Sequence, residues 1–125
     1  MRALIIDDSR AIRLILTRLL TELGFETDQA ENGADALEAV KHRGPFDLAL
    51  VDWNMPEMNG YDFVVAVRQR PDCASMKLVM VTTESEMQRV IKALEAGADE
   101  YVMKPFTREI LTEKLAILGI RQSAA

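Results

Sequence analysis

What most restricts the fold of this chain is a recurrence. A short apolar run stops at a residue with a ligating or reactive side chain, and a stretch with helical spacing follows. Ala3 to Ile6 stops at Asp7-Asp8, after which Ile12, Ile15, Leu16, Leu19, Leu20 and Leu23 recur at helical spacing as far as Gly24. Phe25 to Ala30 alternates and is polar on one side, the pattern of an edge strand. Asn32-Gly33 reads as a turn, and Ala36, Leu37 and Val40 mark a second helix closed by Gly44-Pro45. Leu48 to Val51 has no helical period and is bounded by turn formers, so it reads as a buried strand delivering Asp52 to a loop. In that loop Pro56, Asn59 and Gly60 are expected to supply fixed or positive φ. A third helix is predicted from Tyr61 to Gln69, with Phe63, Val64 and Val67 inward and Pro71 ending it. Leu78 to Val81 stops at Thr82-Thr83; Met87, Val90, Ile91 and Leu94 mark a fourth helix ending at Gly97. Tyr101 to Met103 stops at Lys104-Pro105, and Ile110, Leu111, Leu115 and Leu118 build a last helix behind Thr107 as N-cap.

Strands alternating with helices, the inner strands apolar throughout, predict an α/β fold with a parallel sheet covered by helices on both faces. Such sheets gather ligands at the carboxyl ends of their strands. Right-handed crossovers would bring Asp7-Asp8, Asp52, Thr82 and Lys104 to one edge. Taken singly, each has an ordinary reading: a helix cap beside Ser9, a solvated Asp at a strand-to-loop junction, a strand-end Thr, a surface Lys. Their shared position argues for a site instead.

Three carboxylates brought together resist full ionisation unless a cation neutralises them. An all-oxygen set, with no Cys or His in the motif, favours Mg²⁺ or Mn²⁺ over zinc. A carboxylate is ionised at neutral pH and attacks phosphorus without a general base, which makes Asp52 the candidate nucleophile. Lys104 and the Thr82 hydroxyl are placed to balance charge on a transferring phosphoryl group.

Composition narrows the classes. With 125 residues the chain suits one domain with a single core. Net charge is −5 and the basic residues are scattered, which argues against direct nucleic-acid binding. No apolar run approaches the roughly 20 residues that span a bilayer, and no signal-peptide layout opens the chain, so a cytoplasmic protein without a membrane role is expected. Cys73, the one cysteine, reads as a bystander, and His42 as a solvated cation at a helix end. The seven Met read as core fillers.

Asp7-Asp8, Asp52-Trp53-Asn54-Met55-Pro56, Met58-Asn59-Gly60, Thr82, Tyr101 and Lys104-Pro105-Phe106, in this order and spacing, resemble the receiver domains of two-component response regulators, in particular the stand-alone chemotaxis (CheY-like) type. The resemblance covers essentially the whole chain. It implies a (βα)5 flavodoxin-like sheet of order 2-1-3-4-5, an order taken from the family and not from the spacing. It further implies that Asp52 accepts a phosphoryl group from a phosphohistidine on a sensor histidine kinase or phosphotransfer protein. Mg²⁺ would be bound by Asp8, Asp52 and the Asn54 carbonyl, with Asp7 acting through metal-bound water. Thr82 and Lys104 would bind the phosphoryl oxygens, and the Lys104-Pro105 peptide would be cis. Tyr101 matches the family's switch aromatic, expected to turn inward when Thr82 moves, and so to bias a partner-binding face built from the fourth helix, fifth strand and fifth helix. On that face Val90 and Leu94 are expected to be partly exposed and to contact a downstream protein.

One departure and two tuning positions accompany the resemblance. Thr83 stands where Ala or Gly is commoner and would narrow access to the phosphoryl group, while Asn54 and Glu84 occupy positions that tune self-dephosphorylation and imply a short-lived phosphoaspartate. Only Gly119 to Ala125 follows the last helical residue, so a monomeric single-domain regulator acting through protein contacts is expected, in chemotaxis or a phosphorelay. The alternative is a receiver excised from a larger regulator with a DNA-binding or enzymatic output domain. A phosphatase of the haloacid dehalogenase type is disfavoured because Asn54 stands where that family needs an acid. A pseudo-receiver is disfavoured because all the key groups are present, and dinucleotide binding because no Gly-x-Gly-x-x-Gly follows the first strand.

Overall fold

In the computed structural model, which describes residues 1–120 apart from 54, 56 and 57 and only the backbone of residue 84, the alternation becomes ten regular elements. They are β1 (Arg2–Ile6), α1 (Arg10–Glu22), β2 (Glu26–Ala30), α2 (Gly33–Arg43), β3 (Leu48–Asp52), α3 (Gly60–Arg68), β4 (Lys77–Thr82), α4 (Met87–Ala96), β5 (Glu100–Met103) and α5 (Arg108–Ile117). Single 3₁₀ turns, Pro71–Cys73 and Glu84–Glu86, precede β4 and α4. All strand pairs are parallel, and the order is β2-β1-β3-β4-β5, so polar β2 does lie at an edge.

The three inner strands are apolar on both sides because both sides are covered. Ala3, Ile5, Leu48, Leu50, Val79 and Val81 pack with Leu16 and Leu20 of α1 and Leu111 and Leu115 of α5. Leu4, Ile6, Ala49, Val51, Leu78 and Met80 point the other way, toward Ala36, Ala39 and Val40 of α2, Phe63, Val64 and Val67 of α3, and Ala93 of α4. This is the period-two alternation of a pleated strand read against two cores at once. Each fully buried aliphatic or aromatic side chain contributes about 1.5–3 kcal/mol relative to exposure, which places most of the fold's stability in these two layers.

Several local expectations change. Asn32, read as part of a turn, and Asn59, expected to supply fixed or positive φ, are N-caps with extended backbones, their side chains accepting hydrogen bonds from Asp35 N and Asp62 N at 2.8 Å each. An asparagine cap satisfies a first-turn N–H that would otherwise go unpaired. Ser9 caps α1, accepting from Ile12 N at 3.3 Å, while Asp7 Oδ1 accepts from Ser9 N at 2.8 Å. Thr107 caps α5 as expected. Ile15, Ile91 and Ile110, counted with the inward stripes, are exposed, since each helix touches the sheet over an arc narrower than its apolar face.

Gly60 is needed for space and not for φ. It begins α3 where the chain doubles back on β3, donating its N–H to Trp53 O at 2.9 Å. A Cβ there would lie 2.5 Å from the Asp52 carbonyl oxygen and 3.1 Å from Trp53 Cα, both backbone atoms that have little room to yield. Gly60→Ala should therefore cost about 1–3 kcal/mol through overpacking and move the Asp52 loop; urea unfolding midpoints at an unchanged slope would measure it.

Arg68 ties the far end of the sheet. Its guanidinium donates to Gly97 O at 2.8 Å, Cys73 O at 2.9 Å, Met76 O at 2.8 Å and Asp99 Oδ2 at 2.7 Å, joining α3 to the turns that lead into β4 and β5. Asp99 Oδ2 in turn accepts from Leu78 N at 2.8 Å. Nearby Cys73 is buried, and that burial pushes its thiol pKa up, away from the reactive thiolate. His42 is exposed beside Glu38, 3.1 Å away, at the end of α2.

Candidate functional site

The carboxyl ends of β1, β3 and β5 meet at one edge because their registers align there. Ile6 pairs with Val51, Asp52 pairs with Val81, and Lys104 N donates to Thr82 O at 2.6 Å just beyond β5. Asp7 and Asp52 are almost fully buried, whereas Asp8 is exposed. One oxygen from each of the three lies within 4.8 Å of the others. Lys104 reaches into this group, its Nζ 3.3 Å from Asp52 Oδ1 and 3.5 Å from Asp7 Oδ2. The Lys104-Pro105 peptide is cis, as is Gly44-Pro45.

The electrostatics follow from that geometry. Burial pushes the Asp52 carboxyl up from an ordinary 3.8 to about 6; the Asp7 charge adds to the rise, the Lys104 ammonium and its hydrogen bond oppose it, and Asp8 adds a little more. Burial alone would lower the Lys104 pKa, but the charges of Asp52 and Asp7 and the hydrogen bond to Asp52 hold it above its usual value. One lysine therefore stands against three acids, and the cluster is short of positive charge.

The site fits a hard divalent cation. Asp7 Oδ2 is buried without a hydrogen-bond partner, its nearest cation being the Lys104 ammonium at a distance too long for a strong bond. An unsatisfied buried carboxylate oxygen costs free energy unless a ligand completes it. The oxygen-only set is the kind Mg²⁺ prefers, with room left for water or phosphate oxygens. Asn54, expected to add a carbonyl, lies outside the described residues, as does the side chain of Glu84.

Thr82 is buried at the end of β4, but its hydroxyl faces away from the carboxylates. It approaches Thr83 O at 3.2 Å and Glu86 Oε1 at 3.5 Å. Parity explains this: Thr82 continues the Leu78–Met80 side of β4, toward α4, whereas Asp7, Asp52 and Lys104 continue the sides of Ile5, Leu50 and Val102 that face α1 and α5.

Two supporting residues escaped the sequence reading. Arg13 Nη1 donates to Asp7 O at 2.7 Å and its Nε to Gln29 Oε1 at 3.1 Å, bracing the acidic loop from the first turns of α1. Glu86, the buried acid before α4, organises the loop after Thr82. The Thr83-x-x-Glu86 spacing of a capping box was the available signal for the second. Arg13 gave none, because its partners come from two strands.

Compared with known protein families, residues 3–116 match the response regulator receiver domain. The chain belongs to that family. It is 40% identical over 119 residues to chemotaxis protein CheY1 of Helicobacter pylori, covering 94% of this chain and 96% of that protein. It is 42% identical over 116 residues to chemotaxis protein CheY of Pseudomonas aeruginosa, covering 92% and 93% respectively. Among solved structures, Vibrio cholerae chemotaxis protein CheY4 superposes with a TM-score of 0.86 at 32% identity, covering 94% of this chain and 97% of that one. The sheet order anticipated from the family is the one observed.

Within this receiver domain the output-face expectation needs correction. Val90 is 2% exposed and packed inward beside Ala93, so it presents no surface to a partner. Leu94, at 36% exposure, and Ile91, at 64%, are the apolar residues α4 turns outward. A helix turn of 3.6 residues puts 90 and 93 on one face, which β4 and α3 cover, and 91 and 94 progressively beyond it. Tyr101 is half-buried, with the Lys114 ammonium 4.4 Å from its ring centroid. Among the described residues no helix is long and apolar enough to cross a membrane.

Proposed function

We propose that this receiver domain is a phosphorylation switch of the chemotaxis type, single-domain and acting by protein contacts, in which Asp52 takes a phosphoryl group from a phosphohistidine on a kinase or phosphotransfer protein. One observation carries the reading: Asp52 is a buried carboxylate at a strand end, flanked by two further acids and faced by one lysine. One Asp52 oxygen attacks phosphorus as the P–N bond of the donor breaks, its electron pair returning to that ring nitrogen; with the other ring nitrogen carrying a proton, the imidazole leaves neutral. Lys104 stays in contact with Asp52 and holds positive charge beside the phosphoryl oxygens. Asp8, Asp52, the Asn54 carbonyl and, through water, Asp7 would hold Mg²⁺. When bound, Mg²⁺ neutralises the carboxylates and the charge gathering on the phosphoryl oxygens. Bound there, the ion would also offset the cost of holding Asp52 ionised in a buried position.

The donor protein has a surface to rest on. An apolar groove of about 460 Å³, lined by residues including Ile12, Ile15, Leu19, Pro105 and Phe106, opens between α1 and the start of α5 and reaches Lys104. The downstream partner would meet the other face, around Leu94 and Tyr101, after Thr82 turns toward the phosphoryl group. The Asn54 and Glu84 types are consistent with a short-lived phosphoaspartate.

Intact-protein mass after incubation with acetyl phosphate and Mg²⁺ tests the reading. A single phosphoryl adduct is expected, absent in Asp52→Asn and absent with a chelator. Continuous release of inorganic phosphate without an adduct would instead mark a phosphatase. Neither adduct nor release in folded protein would mark a receiver that signals without phosphorylation.

A further inference from the structure

We propose that Glu86 is a latch that holds Thr82 in its resting position and so sets how readily this domain switches; the proposal rests on the receiver reading above. Thr83 stands at the head of the 3₁₀ turn Glu84–Glu86 that leads into α4, and the Glu86 side chain reaches back to it as the acid of a capping box does. Thr83 N donates to Glu86 Oε1 at 3.0 Å, Thr83 Oγ1 donates to the same oxygen at 3.0 Å, and Glu86 N returns a bond to Thr83 O at 3.0 Å. The Thr83 hydroxyl also meets Ser85 Oγ at 3.0 Å. Glu86 is 8% exposed, so its carboxylate is fixed by these bonds and little diluted by water.

The anchored carboxylate reaches the switch residue as well. Thr82 is 0% exposed and has a single hydroxyl proton, which faces Glu86 Oε1 at 3.5 Å and Thr83 O at 3.2 Å. To donate to a phosphoryl oxygen on Asp52, Thr82 must give up both. The resting state is thus favoured by whatever these contacts are worth, and phosphoryl binding has to overcome it. Removing the carboxylate removes one of the two acceptors and loosens the box. Glu86 is a positioning residue: it acts through Thr82 and not on the phosphoryl group.

The test is titration of beryllofluoride, a phosphoryl mimic, into protein saturated with Mg²⁺. The readout is fluorescence of Trp53, the only Trp and the neighbour of Asp52. Glu86→Ala should bind the mimic about two- to threefold more tightly, the low end of what one hydrogen bond is worth, because the 3.5 Å contact is long and Thr83 O at 3.2 Å remains as an acceptor. Glu86→Gln, which keeps an oxygen for the box, should show a smaller gain. Affinity for Mg²⁺ alone should not change. In a Thr82→Ala background the gain from Glu86→Ala should disappear, which a purely structural role of Glu86 would not produce. Unchanged or weaker mimic binding by Glu86→Ala, or an equal gain without the Thr82 hydroxyl, overturns the latch. If Glu86→Ala loses its helical circular dichroism, Glu86→Gln decides, and unchanged binding there overturns it. A wild-type protein with no response that depends on Asp52 overturns the receiver reading and the latch together, whereas a normal wild-type response with indifferent Glu86 variants overturns the latch alone.

Discussion

Asp52→Asn should make the metal-free protein more stable at neutral pH while abolishing phosphoryl uptake. The Asp52 carboxyl is raised from 3.8 to about 6 in the folded chain, so folding favours its protonated form. The contribution of this group to stability is therefore fully present below about pH 4 and lost as pH rises through about 6. At pH 7.5 the wild type carries the whole penalty of an ionised, buried carboxylate beside Asp7, and Asn carries none. Allowing for screening by water at the open edge, the gain should be about 1–2 kcal/mol, or a rise of several degrees in Tm. Melting both proteins in chelator from pH 4 to pH 8 should show the curves separating upward through pH 6. Saturating Mg²⁺ should narrow or reverse the gap, since the ion binds the folded wild type more tightly; at a hundred times Kd such binding is worth about 2.7 kcal/mol. A variant less stable than wild type in chelator at pH 7.5 would contradict the claim that burial, with the Asp7 charge beside it, penalises the ionised Asp52. Function and stability thus oppose each other at this residue, as expected where like charges are gathered for a ligand.

Arg68→Ala should be the most destabilising single change far from the site, at about 3–5 kcal/mol. The side chain is 18% exposed and supplies donors to three carbonyl oxygens and to Asp99. Truncation leaves those acceptors without their partner and strands the Asp99 charge, and the cost of unpaired groups exceeds the net worth of the bonds that held them. Arg68→Lys should recover only part of the loss, because an ammonium cannot span four acceptors that a planar guanidinium meets at once. Chemical denaturation would measure both. Because Arg68 stands at the amino end of β4, opposite the acidic edge, phosphoryl uptake per folded molecule should be unchanged at temperatures where the variant is folded. A loss of uptake in fully folded Arg68→Ala would mean that the two ends of the sheet are coupled.

The elements of this fold are written locally. An apolar run between turn formers declares a buried strand within five or six residues, and a stripe at helical spacing declares its helix within two turns, so every strand and helix was placed to within a few residues. The candidate site was legible for the same reason: Asp7, Asp8, Asp52 and Lys104 each follow such a run, and parallel pairing carries strand ends to a common edge. The helix caps at Asn32 and Asn59 were misread because Asn serves turns and N-caps alike, and the choice depends on the chain that follows.

Tertiary structure alone decided which way side chains face. With β1, β3 and β4 apolar on both sides, their sequences do not distinguish the face toward α1 and α5 from the face toward α2, α3 and α4. Nothing local therefore said that Lys104 would join the acids while Thr82 would turn to Glu86, or that Val90 would be buried and Ile91 exposed. Arg68 and Arg13 find their partners on separate turns and strands, at separations no periodicity records. Position along the chain specified which residues reach the edge; the register of the sheet and the packing of helices on its two faces specified what each of them touches there.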